Sequence, residues 1–257
     1  APTTLSGFVR VFSEHPHIAS VFGSYDATPA HPSFLSQYRN LLHRYVHHLH
    51  PGEATTFWAG CGAVKRAEFL QVGGYDSARY PRPQIEDIEL GYRLRDNGFH
   101  ILLVPELEAK HLKHWTFRNM VRTDFRDRAV PWMHVLLDRR ETVSTGPLNL
   151  AVREKVLTGL TGLALLLLLV SVVTLEWRWA AAAVGVCLGI AAGNADLLRW
   201  FGRERGVWFT LRVVPMRLLF YLLSGLGASW AIVTHRFRPP TAKLSPLHDQ
   251  RERVMAA

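Results

Sequence analysis

The chain has 257 residues, 48% of them hydrophobic, and a formal net charge of +9. Two cysteines, Cys61 in a mixed polar stretch and Cys187 inside an apolar run, exclude a disulfide scaffold and a cysteine-rich zinc fold. The charge excess is local: residues 151–257 hold 13 Lys and Arg against 6 Asp and Glu, whereas residues 1–150 hold 17 against 15. Those cations sit between apolar runs, where positive charge marks cytoplasmic loops and anionic headgroups, so no nucleic-acid partner is expected.

Residues 1–145 mix charges, aromatics and turn signals as a soluble domain does, and residues 146–257 read as a membrane region, with the boundary near Thr145-Gly146-Pro147. The sparse cysteines suit a reducing cytoplasm, and the chain opens Ala-Pro-Thr-Thr without a charged-then-apolar leader, so its start reads as a cut. Leu5 to Phe12 has helical spacing, and His15-Pro16 ends the helix because proline disfavours helix in the residue before it. Ile18 to Phe22 predicts a strand running into Gly23-Ser24-Tyr25-Asp26, the kind of strand end at which α/β folds place ligand contacts.

Residues 34–50 predict an amphipathic helix with Phe34, Tyr38, Leu41, Leu42, Tyr45, Val46 and Leu49 on one side. His43, His47 and His50 share a face; with no carboxylate or cysteine at ligand spacing, they read as a solvated or headgroup-facing stripe rather than a metal site. Small residues bracket Cys61 in Phe57-Trp-Ala-Gly-Cys-Gly62, which lets backbone approach a ligand or simply pack tightly. A short helix near 65–71 is closed by Gly73-Gly74.

Residues 85–98 carry acids in the first turn, arginines in the last and Asn-Gly at the end, so Glu86 and Asp87 sit at a positive helix terminus. His100 to Val104 predicts a strand stopped by Pro105, and Lys110-His-Leu-Lys-His-Trp115 follows. On a helix over 116–129, Arg118, Arg122 and Arg126 recur every four residues, either as a solvated ridge or as a headgroup contact. Val156 to Leu175 is a run of 20 uncharged residues, enough to cross a ~30 Å hydrocarbon core. Second and third spans are expected at about 180–198 and 214–234, with 199–205 a basic loop and 207–216 an interfacial helix. Positive charge places 199–217 in the cytoplasm, although Arg236 and Arg238 beyond the third span work against a full third crossing.

Four stretches in order resemble the second half of the membrane-bound family 2 glycosyltransferases, whose nucleotide-sugar-binding fold is called GT-A. They are Gly-Ser-Tyr-Asp (23–26), Phe-Trp-Ala-Gly-Cys-Gly leading to Val-Gly-Gly-Tyr-Asp (57–76), Glu86-Asp87 opening a helix, and His-Leu-Lys-His-Trp (111–115). Asn194 to Phe201 and residues 214–225 look like the membrane tail of bacterial members.

The resemblance implies an α/β fold, part of a GT-A domain, followed by a bundle of two to three transmembrane helices. It implies an inverting transfer of sugar from a nucleotide-sugar donor to a lipid-linked or cell-envelope acceptor, at a multi-pass protein of the inner (plasma) membrane with its catalytic part cytoplasmic. Asp87 takes the family's base position, and a helix N-terminus favours its carboxylate form; Glu86 would orient the acceptor. The alternative for this pair is helix capping. Asp26, Trp58, Gly60, Cys61, Lys113, His114 and Trp115 fall at substrate-binding positions.

His111 stands where the family has Gln, and His114 where it has Arg. His111 is then a ligand for a divalent metal, Mg or Mn, or a phosphate donor, with Lys110 or Lys113 supplying charge. No Asp-x-Asp metal motif precedes Gly23, so the donor-binding half is expected upstream. The competing reading is a non-catalytic membrane-surface binding or scaffold protein; a small transporter is disfavoured, since charges avoid the spans except near their ends. Residues 1–257 alone are expected to transfer no sugar from a nucleotide sugar, and product formation in a radiolabelled-donor assay would overturn this.

Overall fold

The structure, a computed structural model, describes residues 2–139 and 152–238. The boundary expected at Thr145-Gly146-Pro147 lies outside the described residues. Contacts divide the chain into two compact units, one ending at Met120 and taking up the chain again from Arg238, the other running from Val121 to Phe237.

The first unit is a small mixed sheet with helices. After α1 (Pro2–Glu14), strand β1 (Ile18–Tyr25) runs three residues further than its apolar core suggested. Helix α2 (Phe34–Leu49) leads to β2 (Gly52–Ala54), a 3-10 turn (Ala59–Cys61), β3 (Gly62–Val64) and α3 (Arg66–Gln71). Helix α4 (Glu86–Asp96) and β4 (His100–Ala109) complete it. The strand order is β2-β4-β1-β3, with β4 parallel to β1 and both outer strands antiparallel to their neighbours.

Every residue of β1 from Ile18 to Ser24 is buried, because both faces of the sheet are covered. Phe8 and Val11 of α1 pack with Ile18, Val21, Cys61 and Leu107 in one cluster. Leu90 and Leu94 of α4 pack with Phe22, Phe57, Val72, Ile101 and Leu103 in the other. Arg93 fastens α4 to the Gly73-Gly74 turn: it pairs with Glu89 at 2.8 Å and donates to the carbonyls of Val72 and, at 2.6 Å, Gly74. Gly73 and Gly74 both have positive φ, as the expected helix cap requires.

Pro105 does not end β4. Phe22 is opposite Leu103, but Ser24 is opposite Glu108, so β4 bulges between those registers and Pro105 sits in the bulge, where no ladder N–H is required of it. The bulge drives the Leu107 carbonyl against Gly23: a Cβ there would lie 1.8 Å from Leu107 O.

The chain passes from the first unit to the second within α5 (Phe117–Arg122), which continues through a π-helical turn (Thr123–Ala129) into α6 (Val130–Arg139). The extra residue per π turn shifts the phase of the predicted 116–129 helix and sets Asp124 and Asp127 inward, while Arg118, Arg122 and Arg126 stay exposed. Helices α7 (Val152–Thr174) and α10 (Val207–His235) are each long and apolar enough to cross a membrane.

Three membrane expectations change. Helix α8 (Trp177–Gly193) breaks at Asn194 and meets α9 (Ala195–Arg205) at 67°, so 180–198 is not one straight span; it counts as a third only if the bent pair crosses together. The expected basic loop 199–205 is helical. The interfacial helix 207–216 and the third span are one helix, α10, with Pro215 inside it.

Gly23→Ala is expected to destabilise the first unit by about 3 kcal/mol, because the clash is with backbone rather than a movable side chain. Thermal melting in detergent reads this as a fall of roughly 10 °C. Gly159→Ala, with open space around it, is the control, and a Gly23→Ala melt matching it contradicts the close approach.

Candidate functional site

The site residues gather where β1 and β4 end side by side. The Asp26 N–H donates to Ala109 O at 3.0 Å, so the chain leaves the two strands together. Helix α2 holds this edge: Arg44 donates to Tyr25 O at 3.0 Å and pairs with Glu108, and Asn40 Nδ2 donates to Asp26 O at 2.9 Å. The Asp26 carboxylate is 3.5 Å from the Lys110 ammonium, which also donates to Thr28 O at 2.7 Å.

Tyr25 joins three of the stretches. Its ring stacks on His111 with centroids 4.3 Å apart, and His43 meets it edge-on at 5.9 Å. Its hydroxyl covers Gly60 so closely that a Cβ at 60 would lie 2.1 Å from the oxygen. A Cβ at 60 would push the Tyr25 ring off this position. The Cys61 thiol donates to Leu107 O at 3.3 Å, and burial pushes its pKa up, so it is a packing group on the same bulge that touches Gly23.

Asp87 reaches this turn from the first turn of α4. Its Oδ2 accepts the Ala59 N–H at 2.9 Å and its Oδ1 the Ile88 N–H at 2.8 Å. A carboxylate bonded to two backbone donors is held in one orientation. The Glu86 carboxylate instead turns back to the Gln84 N–H at 2.6 Å. Beside the pair, burial first and then the Asp87 and Glu86 charges raise the Tyr75 hydroxyl pKa.

Trp58 donates to Thr56 Oγ1 at 3.3 Å and lies edge-on to His43 and His47, at 5.5 and 5.3 Å. The stripe expected to be solvated is thus largely interior: His43 is 9% and His47 4% exposed, and only His50 faces out. The reversal comes from Trp58, Phe22 and Tyr25, whose rings close over α2 from segments distant in sequence. Burial, with a smaller contribution from His48, lowers the His47 pKa to about 4, against a partly offsetting Gly23 backbone contact.

The rest of the 111–115 stretch docks on the start of α2. His114 stacks on His31 at 3.7 Å, His31 Nδ1 lies 3.0 Å from Ser33 Oγ, and Ser36 Oγ accepts the Trp115 N–H at 2.9 Å. Trp115 is 2% exposed, with Lys113 3.8 Å from its ring centroid and Arg39 5.0 Å from it. Asp26, Trp58, Gly60, Cys61, Asp87 and His111 are thereby linked through Tyr25 and the 3-10 turn, whereas Lys113, His114 and Trp115 form a second cluster on α2.

Tyr25 was not singled out in the sequence although it stood inside a quoted stretch, and His43 and His47 were read as an outward stripe and not as part of the site; an aromatic at a strand end was the signal for Tyr25. Among the described residues no three His, Cys, Asp or Glu come together as a metal site, His111 included. Comparison with protein families, curated proteins and solved structures finds no match for this chain.

Because the folded His47 refuses the proton that the unfolded chain accepts, stability should fall as pH drops from 6.5 toward 4, by at most about 1.4 kcal/mol per pH unit. Above about pH 7.5 both states are neutral and the effect vanishes. Melting followed by tryptophan fluorescence should show His47→Gln losing this part of the acid sensitivity; equal slopes for both proteins would contradict it.

Proposed function

We propose that this chain supplies the acceptor-and-base side of an inverting, membrane-bound family 2 glycosyltransferase with a GT-A fold, acting on a lipid-linked or envelope-destined acceptor. The observation that carries the reading is Asp87 at the start of α4, with its carboxylate bonded to the Ala59 N–H of the Trp58–Cys61 turn. Two stretches chosen from separate parts of the sequence thus meet at one acid. The same turn meets a third stretch through Gly60 and Tyr25, and a fourth through Tyr25 and His111.

In this reading Asp87 accepts the proton of an acceptor hydroxyl as that oxygen attacks the anomeric carbon and a nucleoside diphosphate departs. The two backbone donors fix the carboxylate so that no reorganisation is needed when the hydroxyl arrives. Trp58 offers an apolar wall beside it, of the kind on which a sugar ring lies. Asp26 and Lys110, at the strand end, supply a carboxylate and an ammonium for polar contacts. His111 by itself does not complete a Mg or Mn site, so no step is routed through a metal. Two helices long and apolar enough to cross a membrane suit an acceptor that is itself held in the bilayer.

Asp87→Asn keeps the shape and the Ala59 bond to its side-chain oxygen but removes the base. In membranes carrying the complete transferase, transfer from labelled nucleotide sugars should fall about 10²–10⁴-fold. Glu86→Gln should cost far less. Unchanged transfer in Asp87→Asn, with normal insertion, removes Asp87 as base; no transfer by the unsubstituted protein with any nucleotide sugar supports the scaffold reading.

A further inference from the structure

The break between α8 and α9 is built, not frayed. Asn194 is 2% exposed, and its Nδ2 donates to Ile190 O at 2.8 Å, closing the last turn of α8. Its Oδ1 accepts from Arg217 Nε and from the Tyr221 hydroxyl, both at 3.0 Å. Arg217 also reaches Glu154 at 2.8 Å and the Tyr221 oxygen at 2.5 Å, so side chains of α7 and α10 grip the junction. A buried ion pair with every partner in place fixes geometry strongly, because losing one partner strands a charge away from water. The 67° bend is therefore a held direction for α9.

That direction suits its two faces. Leu197 and Phe201, four residues apart, are buried, and Phe201 stacks on Phe209 of α10 at 5.6 Å. Asp196, Arg199 and Arg203 lie on the opposite, exposed face, and Arg205 is exposed at the C-terminal end. Gly206 turns the chain with φ 80°, and the first turns of α10 present Val207 at 71% exposure, Trp208 at 83% and the exposed Arg212. Four arginines against two acids, next to an exposed indole, match the boundary between anionic headgroups and acyl chains. Arginines at these exposed positions exclude α9 from the hydrocarbon core.

We propose that α9 and the first turns of α10 form a binding surface for anionic phospholipid headgroups. Arg199, Arg203, Arg205 and Arg212 take the phosphate oxygens, for which the guanidinium fork is shaped, and Trp208 settles at the acyl boundary. The exposed Asp196–Arg199 pair, at 2.5 Å, contributes little in water and gives way to a phosphate. The inference rests on the second unit alone and stands whether or not the chain belongs to a transferase.

The test uses the full chain reconstituted in phosphatidylcholine vesicles containing dibrominated phosphatidylglycerol or dibrominated phosphatidylcholine as quencher. The Trp208 contribution is the fluorescence difference from Trp208→Phe. At low salt the brominated anionic lipid should compete for the site about threefold or more better than the zwitterionic one, and about 0.5 M salt should erase the preference. Arg199→Gln, Arg203→Gln, Arg205→Gln and Arg212→Gln combined should bring the ratio near one. Arg203→Glu alone, at an exposed position, should lower it measurably if the combined variant fails to insert. Equal quenching by the two lipids in the unsubstituted protein overturns the proposal and leaves a protein partner as the occupant of this surface. A preference that survives salt and all arginine changes overturns it as well.

Discussion

The parallel pairing of β1 with β4, interrupted by the Pro105 bulge, is the constraint on which the first unit depends. The two strands carry no neighbouring sequence, yet their ends must leave the sheet together for Tyr25, Asp26 and His111 to be neighbours. The bulge lets β4 gain residues on β1 without breaking the sheet, and it presses the Leu107 carbonyl onto Gly23 and into reach of the Cys61 thiol. Alignment of the β1 end, the 3-10 turn and β4 follows from that one irregularity. Bulges often re-aim side chains beside functional sites, and here the re-aimed element is the strand leading to 111–115.

Helix α2 then makes the edge rigid. Arg44 and Asn40 tie it to Tyr25 and Asp26, and Ser36 and Arg39 seat Trp115. Its buried His43 and His47 are packing groups. A neutral His47 between Phe22 and Trp58 couples the interior of this unit to proton concentration without any ligand.

In the second unit the decisive interaction is polar. Hydrophobic length alone makes α7 and α10 candidate spans, and any bundle of apolar helices is free to slide when nothing specific joins them. Arg217, Glu154, Asn194 and Tyr221 supply that specificity. They also explain why an apolar stretch that reads as a continuous second span turns aside at Asn194.

The sequence by itself determined the elements whose signals are local. Helix α4 was legible from its acids, arginines and Asn-Gly, α3 from Gly73-Gly74, and α7 from 20 uncharged residues, because capping, dipole and hydrocarbon thickness act within a few turns of chain. Of the site, Asp87 and the Trp58–Cys61 turn stood out as motifs. Only the tertiary structure decided what meets what. It turned His43 and His47 inward, carried β4 past Pro105, joined 207–216 to the helix that follows, and put Tyr25 over Gly60. Those outcomes rest on contacts between residues tens of positions apart, whose free energy exists only once β1, β4 and α2, or α7 and α10, are already packed, and no local propensity encodes it.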